Sequence, residues 1–184
     1  MLHFIFDLDY TLYQIENEAA DNITGDLYED IKPNIPHNER TPLDKLLSDI
    51  TYNKIIFTNG TFQHAIKCLD ILRIRHHFPN KKIVARDTMN DFKPSESSFI
   101  KCRKAQEIEN NHKVIFFEDS IPNLIKSKDY NWVTIYIGKE DVSKYSTINR
   151  EFKTIEDALE FIIDKNKKVI NRLRRDPRYQ TDHN

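Results

Sequence analysis

The chain has 184 residues, which suits one domain of ordinary size with a substantial core. It carries 28 Lys and Arg against 29 Asp and Glu, so its overall charge points to neither nucleic acid nor a membrane surface as a partner. No apolar stretch could span a bilayer and no signal peptide precedes the first strand, so we expect a cytoplasmic protein. The two cysteines, Cys68 and Cys102, are expected to be free thiols on helices.

An apolar run opens the chain and ends in acidic residues. Leu2 to Phe6 predicts a buried strand, and Asp7-Leu8-Asp9-Tyr10-Thr11 follows it. If the extended geometry continues, Asp7 and Asp9 face one space while Leu8 turns into the core. The next segment, residues 14–40, is polar and acidic and then rich in Pro and Asn. That composition predicts a loop or a short helix, not a domain.

Strands and helices alternate through the rest of the chain. Thr41 and Pro42 predict the start of a helix that runs through Asp49. Short apolar runs predict strands at residues 54–58, 81–85, 114–117 and 133–137. Helices are expected after Thr61, Pro94 and Ser120, and from about Ile155 into the tail. This alternation predicts a doubly wound α/β fold with a mainly parallel, five-stranded sheet and helices on both faces.

Polar residues stand where three of the predicted strands end. They are Asp7 and Asp9, Thr58 and Asn59, and Glu118 and Asp119. In parallel sheets, ligands bind outside the carboxyl ends of the strands, so these side chains are expected to meet. Paired carboxylates there suit a hard cation such as Mg²⁺, or a nucleophile beside a proton carrier. A pair of aspartates alone is about as often a cap or a turn, so the prediction depends on the convergence.

Four motifs in this order resemble those of the haloacid dehalogenase-like hydrolase superfamily. They are Asp7-Leu8-Asp9-Tyr10-Thr11, Thr58-Asn59-Gly60, Lys93-Pro94 and Glu118-Asp119-Ser120. The resemblance covers nearly the whole chain apart from the insert and the tail, and it implies a Rossmann-like core. A narrower likeness, to the pyrimidine 5′-nucleotidase branch, includes His64-Ala65 and Asn123.

The resemblance implies phosphoryl transfer through an aspartyl-phosphate. Asp7 is then the nucleophile, and Asp9 protonates the leaving oxygen and later deprotonates the attacking water. Thr58 and the backbone N–H of Asn59 hold phosphoryl oxygens, and Lys93 neutralises charge on the phosphoryl group and on Asp7. Haloacid dehalogenases lack the second aspartate, because halide needs no proton to leave. Asp9 therefore favours phosphate over carbon–halogen chemistry.

The resemblance also implies Mg²⁺ as the cofactor. Its ligands are the Asp7 carboxylate, the Asp9 backbone carbonyl and Asp119, and Glu118 bonds to its waters. The other supporting residues are Ser120 and Asn123. A nucleophilic carboxylate can approach an anionic phosphate only if Mg²⁺ and Lys93 offset the repulsion.

The insert departs from the family pattern. Pyrimidine nucleotidases carry a helical cap domain between the first motif and the second strand, and residues 14–40 are too short and too polar for that bundle. We therefore expect residues 1–164 to be a single core domain whose cap is reduced or absent. The open site could take a small phosphorylated substrate such as a nucleoside monophosphate, or another subunit could close it; the sequence indicates no oligomeric state.

Several alternatives stay open. The substrate could instead be macromolecular, a phosphoprotein or a nucleic-acid end, or the protein could be a non-catalytic binding protein of the same fold. His64 could touch substrate or pack locally. Residues 165–184 form a basic helix end and tail, which either attracts a phosphate backbone or is a solvated helix face. We favour the solvated face, and nucleic acid is not the favoured partner.

Overall fold

The structure is a computed structural model that describes residues 1–15 and 27–175, with the side chains of Leu27 and residues 166–175 excepted. One parallel sheet of six strands organises this part of the chain. The strands are β1 Leu2–Phe6, β2 Asn53–Phe57, β3 Ile83–Val84, β4 Lys113–Glu118, β5 Val133–Ile137 and β6 Arg150–Phe152. Their order across the sheet is β3-β2-β1-β4-β5-β6.

Seven α-helices connect or flank the strands in the described ranges. They are α1 Leu27–Asp30, α2 Pro42–Asp49, α3 Phe62–Ile71, α4 Arg86–Met89, α5 Glu96–Ala105, α6 Ile121–Ser127 and α7 Ile155–Arg175. Two predicted caps are confirmed: Thr41 Oγ1 accepts the Asp44 N–H at 3.0 Å, and Thr61 Oγ1 accepts the His64 N–H at 3.2 Å. Ser120 stands at the cap position of α6, but its side chain makes no capping hydrogen bond.

Both faces of the sheet are buried, as the alternation of strands and helices predicted. Phe4 and Phe6 of β1 join a core that also contains residues of α2, α3 and α7. Ile5, between them, joins a second core on the opposite face with residues of α5 and α6. The α/β fold with helices on both faces is therefore confirmed.

The sheet has one strand more than the five that the sequence predicted. The added strand, β6, pairs in parallel with β5 and lies at the edge of the sheet. Arg150 and Glu151 are exposed and Phe152 is half-buried, so β6 has no apolar run by which it could be recognised. The predicted strand at residues 81–85 is also shorter in the structure, because residues 80–82 form a 3₁₀ turn.

The described part of the polar insert contains one helix, α1, of four residues. Residues 16–26 of the insert and 176–184 of the tail lie outside the described residues. No helix in the described ranges is long and apolar enough to cross a membrane.

Strand β1 occupies the position that matters for the site. It lies between β2 and β4, and the chain extends the sheet from β2 in one direction and from β4 in the other. Phe6, its last residue, is in register with Ile56 of β2 and Phe117 of β4. Such a reversal of strand order leaves a crevice at the carboxyl ends of the strands, where ligands bind in folds of this class.

Candidate active site

The strand ends carry the predicted polar residues to this crevice. The ladder continues one residue past β1 and β2: the Asp7 N–H donates to the Phe117 carbonyl at 2.9 Å, and the Thr58 N–H donates to the Val84 carbonyl at 3.0 Å. Glu118 is the last residue of β4. Asp7, Thr58 and Glu118 are all buried, so their positions are set by the sheet and its core.

Lys93 connects two of these residues through a buried ammonium. Its Nζ lies 2.7 Å from Asp7 Oδ1 and 2.6 Å from Glu118 Oε2. The same Nζ lies 5.1 Å and 5.4 Å from the ring centres of Phe57 and Phe116, within cation–π range. Burial alone would lower the pKa of Lys93, but the carboxylates of Asp7 and Glu118 outweigh it and raise that pKa. Asp7, Lys93 and Glu118 are called the lysine-centred group.

The side chain of Asn59 holds the backbone of Lys93. Its Nδ2 donates to the Lys93 carbonyl at 3.0 Å, and its Oδ1 accepts the Lys93 N–H at 2.7 Å. The resemblance had assigned a role to the backbone N–H of Asn59, and it gave no hint of this use of the amide. The second and third motifs, 34 residues apart, are therefore joined by a two-way hydrogen-bonded clamp.

Glu118 is held by three donors. Besides Lys93, its Oε2 accepts a hydrogen bond from Asn123 Nδ2 at 3.0 Å, and its Oε1 accepts the Ser120 backbone N–H at 3.1 Å. Ser120 thus contributes its backbone, not its hydroxyl. The three donors satisfy a carboxylate whose exposed fraction is 1%.

Asp119 adds a third carboxylate to those of Asp7 and Glu118. One oxygen each from Asp7, Glu118 and Asp119 lies within 4.8 Å of the others, and the Thr11 hydroxyl lies 3.3 Å from Asp7 Oδ2 and 3.4 Å from Asp119 Oδ1. Burial is the main cause that raises the pKa of Asp7 and of Glu118, each to about 7, and it also raises that of Asp119. The excess of negative charge and the all-oxygen donor set suit a hard divalent cation.

Asp9 has a different set of partners. Its Oδ1 accepts hydrogen bonds from the Tyr13 hydroxyl and from His64 Nε2, the latter at 2.7 Å. Burial alone would raise the pKa of Asp9, but these two hydrogen bonds outweigh it and lower the pKa below its ordinary value. Leu8, between the two aspartates, is fully buried as predicted. Asp9, Tyr13 and His64 are called the histidine-centred group.

His64 stands in the first turn of α3 and contacts three polar side chains. Beyond Asp9, its Nδ1 lies 3.1 Å from the Tyr28 hydroxyl of α1 and its Nε2 lies 3.5 Å from Cys68 Sγ. The hydrogen bond to Asp9, with further help from Cys68, raises the pKa of His64 to about 11. Gly60 permits the close approach, because a Cβ there would lie 2.8 Å from His64 Cδ2.

An open cleft of about 420 Å³ adjoins the carboxylates. Asp119 lines it together with Tyr10 and Gln14 from the segment after β1. The opposite wall of the cleft is formed by Tyr136 of β5 and by three residues that come directly after this strand, Gly138, Lys139 and Glu140. Substrate atoms beyond the reacting group could lie here.

The structure brings all the predicted site residues to one edge of the sheet. Four further residues contact the predicted site residues, and the sequence did not assign them a place in the site. They are Thr11, Tyr13, Tyr28 and Cys68. Thr11 was part of a motif, and Cys68 follows His64 by one helical turn, which was a usable signal. Tyr13 and Tyr28 had none, since their contacts depend on how the insert packs.

Comparison with known proteins identifies the family of the chain. The profile of the haloacid dehalogenase-like hydrolase family matches residues 40–137, more than half of the chain. No curated protein sequence matches significantly.

Solved structures share the fold at low sequence identity. A HAD phosphatase from Thermococcus onnurineus has a TM-score of 0.61 at 15% identity, covering 88% of this chain and 98% of that one. A β-phosphoglucomutase from Clostridium difficile has 0.62 at 16% identity, covering 92% and 99%. An L-2-haloacid dehalogenase from Xanthobacter autotrophicus has 0.64 at 8% identity, covering 88% and 98%. At such identities the likeness is evidence for the fold alone, whereas the family profile shows that the chain belongs to the haloacid dehalogenase-like hydrolases.

Proposed function

We propose that the protein is a Mg²⁺-dependent phosphatase that hydrolyses phosphomonoesters through an aspartyl-phosphate on Asp7. The observation that carries the proposal is the pairing of two unlike aspartates at one sheet edge. Asp7 is buried against Lys93, whereas Asp9 is half-buried and hydrogen-bonded to His64 and Tyr13. A nucleophile and a proton carrier need such different surroundings.

The residues fit a divalent cation. Asp7 and Asp119, with the backbone carbonyl of Asp9, would hold Mg²⁺, and Glu118 would lie behind them. Three carboxylates lie close together and Lys93 pairs with two of them, so a cation would offset the remaining negative charge. When bound, the ion would neutralise charge on the phosphoryl group and keep the nucleophilic carboxylate ionised.

Asp7 performs the covalent step in this scheme. One of its carboxylate oxygens attacks phosphorus, and the bond from phosphorus to the ester oxygen breaks. Lys93, already in contact with Asp7, neutralises charge on the transferring group. Thr58 and the backbone N–H of Asn59 hold the phosphoryl oxygens, and the Asn59 side chain keeps the lysine in place.

Asp9 moves the proton in both half-reactions. It gives a proton to the departing ester oxygen, and it then takes one from the water that attacks the aspartyl-phosphate, which releases phosphate and restores Asp7. The lowered pKa of Asp9 suits the second step. His64 Nε2 donates a hydrogen bond to Asp9. His64 is therefore the neighbouring group that reprotonates Asp9 before the first step.

The favoured substrate is a nucleoside monophosphate or another small phosphomonoester. The cleft of about 420 Å³ beside Asp119 has room for the organic part of such a molecule. A second candidate is a macromolecular phosphate, which the short α1 in the described part of the insert favours because no cap bundle stands there.

A phosphate-release screen tests the proposal. Nucleoside monophosphates, a phosphopeptide and 5′- and 3′-phosphorylated oligonucleotides would be incubated with the protein and Mg²⁺. Asp7→Asn serves as the blank, and Asp49→Asn, an exposed aspartate on α2, as the matched control. We expect release that needs Mg²⁺, persists in Asp49→Asn and falls at least about 1000-fold in Asp7→Asn.

Two results would overturn the proposal. Release that survives Asp7→Asn would place the nucleophile elsewhere. No release from any substrate, by folded protein that binds Mg²⁺, would favour a non-catalytic binding protein of this fold.

A further inference from the structure

A second group of metal-binding side chains lies beside the first. Asp9, His64 and Cys68 each offer one ligand atom, and these atoms lie within 4.8 Å of one another. Asp9 Oδ1 lies 2.7 Å from His64 Nε2, and Cys68 Sγ lies 3.5 Å from the same nitrogen. The three atoms thus form a compact triangle at the edge of the catalytic crevice.

Helix α3 creates this arrangement. His64 and Cys68 are four residues apart, so they lie on one face of the helix, one turn above the other. The Thr61 cap fixes the start of the helix, and the close approach at Gly60 lets the imidazole reach Asp9. Cys68 is fully buried in the core, whereas the side chains of His64 and Asp9 are 19% and 31% exposed. An ion can therefore enter from the solvent side with the sulfur behind it.

The donor atoms differ from those of the carboxylate cluster. Asp7, Glu118 and Asp119 offer only oxygen, which suits Mg²⁺, but an imidazole nitrogen and a thiolate are ligands of Zn²⁺ and similar borderline cations. A tetrahedral ion would hold its nitrogen and sulfur ligands about 3.5 Å apart and its nitrogen and oxygen ligands about 3.4 Å apart. Cys68 Sγ lies 3.5 Å from His64 Nε2 and 3.8 Å from His64 Nδ1, so the sulfur faces the ring, and the imidazole would rotate to turn the Nε2 lone pair toward an ion shared with Sγ. Asp9 would move outward by less than an ångström.

We propose that Asp9, His64 and Cys68 form an inhibitory site for Zn²⁺ or another thiophilic divalent cation, distinct from the Mg²⁺ site. The ion takes lone pairs from Oδ1, Nε2 and the thiolate sulfur, and a water fills its fourth position. Two protons, one from the thiol and one from the hydrogen bond between His64 and Asp9, go to solvent. No oxidation or reduction is involved.

Inhibition follows from what the ion does to Asp9. A carboxylate held by the ion can no longer deliver or accept a proton, although Asp7 and Lys93 keep their places. This consequence rests on the proposed phosphatase function, whereas the binding itself does not.

Cobalt provides a test of binding that needs no turnover. Co²⁺ bound to a thiolate absorbs in the near ultraviolet through sulfur-to-metal charge transfer. The full chain would be titrated with Co²⁺ in excess Mg²⁺, which occupies the all-oxygen cluster. We expect the absorption to saturate at one ion per chain, to persist in Cys102→Ala and to vanish in Cys68→Ala. Cys102 is the matched control, since it is also a fully buried helical cysteine.

A second variant guards against a folding failure. If circular dichroism shows that Cys68→Ala is unfolded, Cys68→Ser removes the soft donor at nearly the same volume, and it too should lose the band. A band that persists in the folded Cys68 variant, or no band in the wild type, would overturn the site.

Inhibition is measured separately on Mg²⁺-supported phosphate release. Zn²⁺ should inhibit the wild type and Cys102→Ala alike, and the concentration for half inhibition should rise at least about 10-fold in Cys68→Ala, each variant being compared with its own zinc-free rate. Equal inhibition of all three would refute the inhibitory role. A cobalt band without any phosphate release would mean that the proposed function had failed and the metal site had not.

Discussion

The lysine-centred and histidine-centred groups lie at the same sheet edge but are built in opposite ways. In the lysine-centred group, Asp7 and Glu118 stand at strand ends, and both are buried almost completely together with Lys93. The second takes Asp9 and Tyr13 from a loop and His64 from a helix, and although Tyr13 is buried, the side chains of Asp9 and His64 stay partly exposed. Charges that must hold one geometry are fixed by the sheet, whereas the residues proposed to exchange protons with water keep access to it.

Removing the lysine tests the buried side of this comparison and should have the largest effect. In Lys93→Met, Asp7 and Glu118 lose their shared cation while remaining buried. We expect phosphate release to fall at least about 1000-fold and the free energy of unfolding to fall by about 3 kcal/mol. Urea unfolding and phosphate release measure the two effects. Lys101→Met, at an exposed lysine, is the control and should change neither; wild-type stability in Lys93→Met would contradict the buried charge network.

Removing the histidine tests the exposed side. Without His64, Asp9 loses a hydrogen-bond donor and a proton source. Protonation by an acid matters most when the leaving group is poor, as an alkoxide is, and least when it is good, as p-nitrophenolate is. His64→Ala should therefore slow phosphate release from an alkyl phosphomonoester about 100-fold and from p-nitrophenyl phosphate only a few-fold.

The exposed His37 supplies the control for that experiment, since His37→Ala should leave both rates unchanged. Equal losses on the two substrates in His64→Ala would assign His64 a merely structural role.

The Asn59 clamp offers a finer test, because it supports the lysine without touching its charge. Asn59→Ala leaves the Lys93 N–H and carbonyl without their partners, and we expect a loss of about 1–3 kcal/mol in the free energy of unfolding. Asn34→Ala, at an exposed asparagine, is the control and should leave the free energy of unfolding nearly unchanged. Urea titration measures both variants, and an Asn59→Ala that is as stable as the wild type would contradict the clamp.

The pH dependence of stability tests the buried carboxylates themselves. Burial raises the pKa of Asp7 from 3.8 to about 7, so between these values the folded chain binds a proton that the unfolded chain has lost. The free energy of unfolding of the metal-free protein should therefore fall as pH rises from about 4 to about 7.

Urea unfolding across that pH range measures the effect. In Asp7→Asn the fall should be shallower, because only Glu118 of the pair still contributes. Excess Mg²⁺ should flatten the wild-type profile by stabilising the ionised form. A profile identical in both proteins would show that Asp7 does not titrate in this window.

Much of this architecture could be predicted from the sequence, and the failures have physical causes. Apolar runs located β1, β2, β4 and β5, and polar residues marked the ends of the first three. Strand β6 was missed because an exposed edge strand of three residues needs no apolar pattern.

Within the site, the strand ends predicted Asp7, Thr58, Glu118 and Asp119, because parallel strands end at one edge. The roles of the Asn59 amide and of Tyr13 could not be predicted, because each depends on a partner placed by tertiary packing. Motif spacing identifies residue types at the sheet edge; it does not specify which atoms they use.

The Asn59 clamp has an evolutionary consequence. Since the amide binds the backbone of residue 93 and not its side chain, the loop keeps its anchor whatever residue stands there. A descendant that had given up catalysis would keep this anchor even after replacing Lys93 and its partners Asp7 and Glu118 with neutral residues, but it would still need Asn59. Relatives that keep the asparagine without the lysine are therefore expected to be folded, non-catalytic members of the lineage.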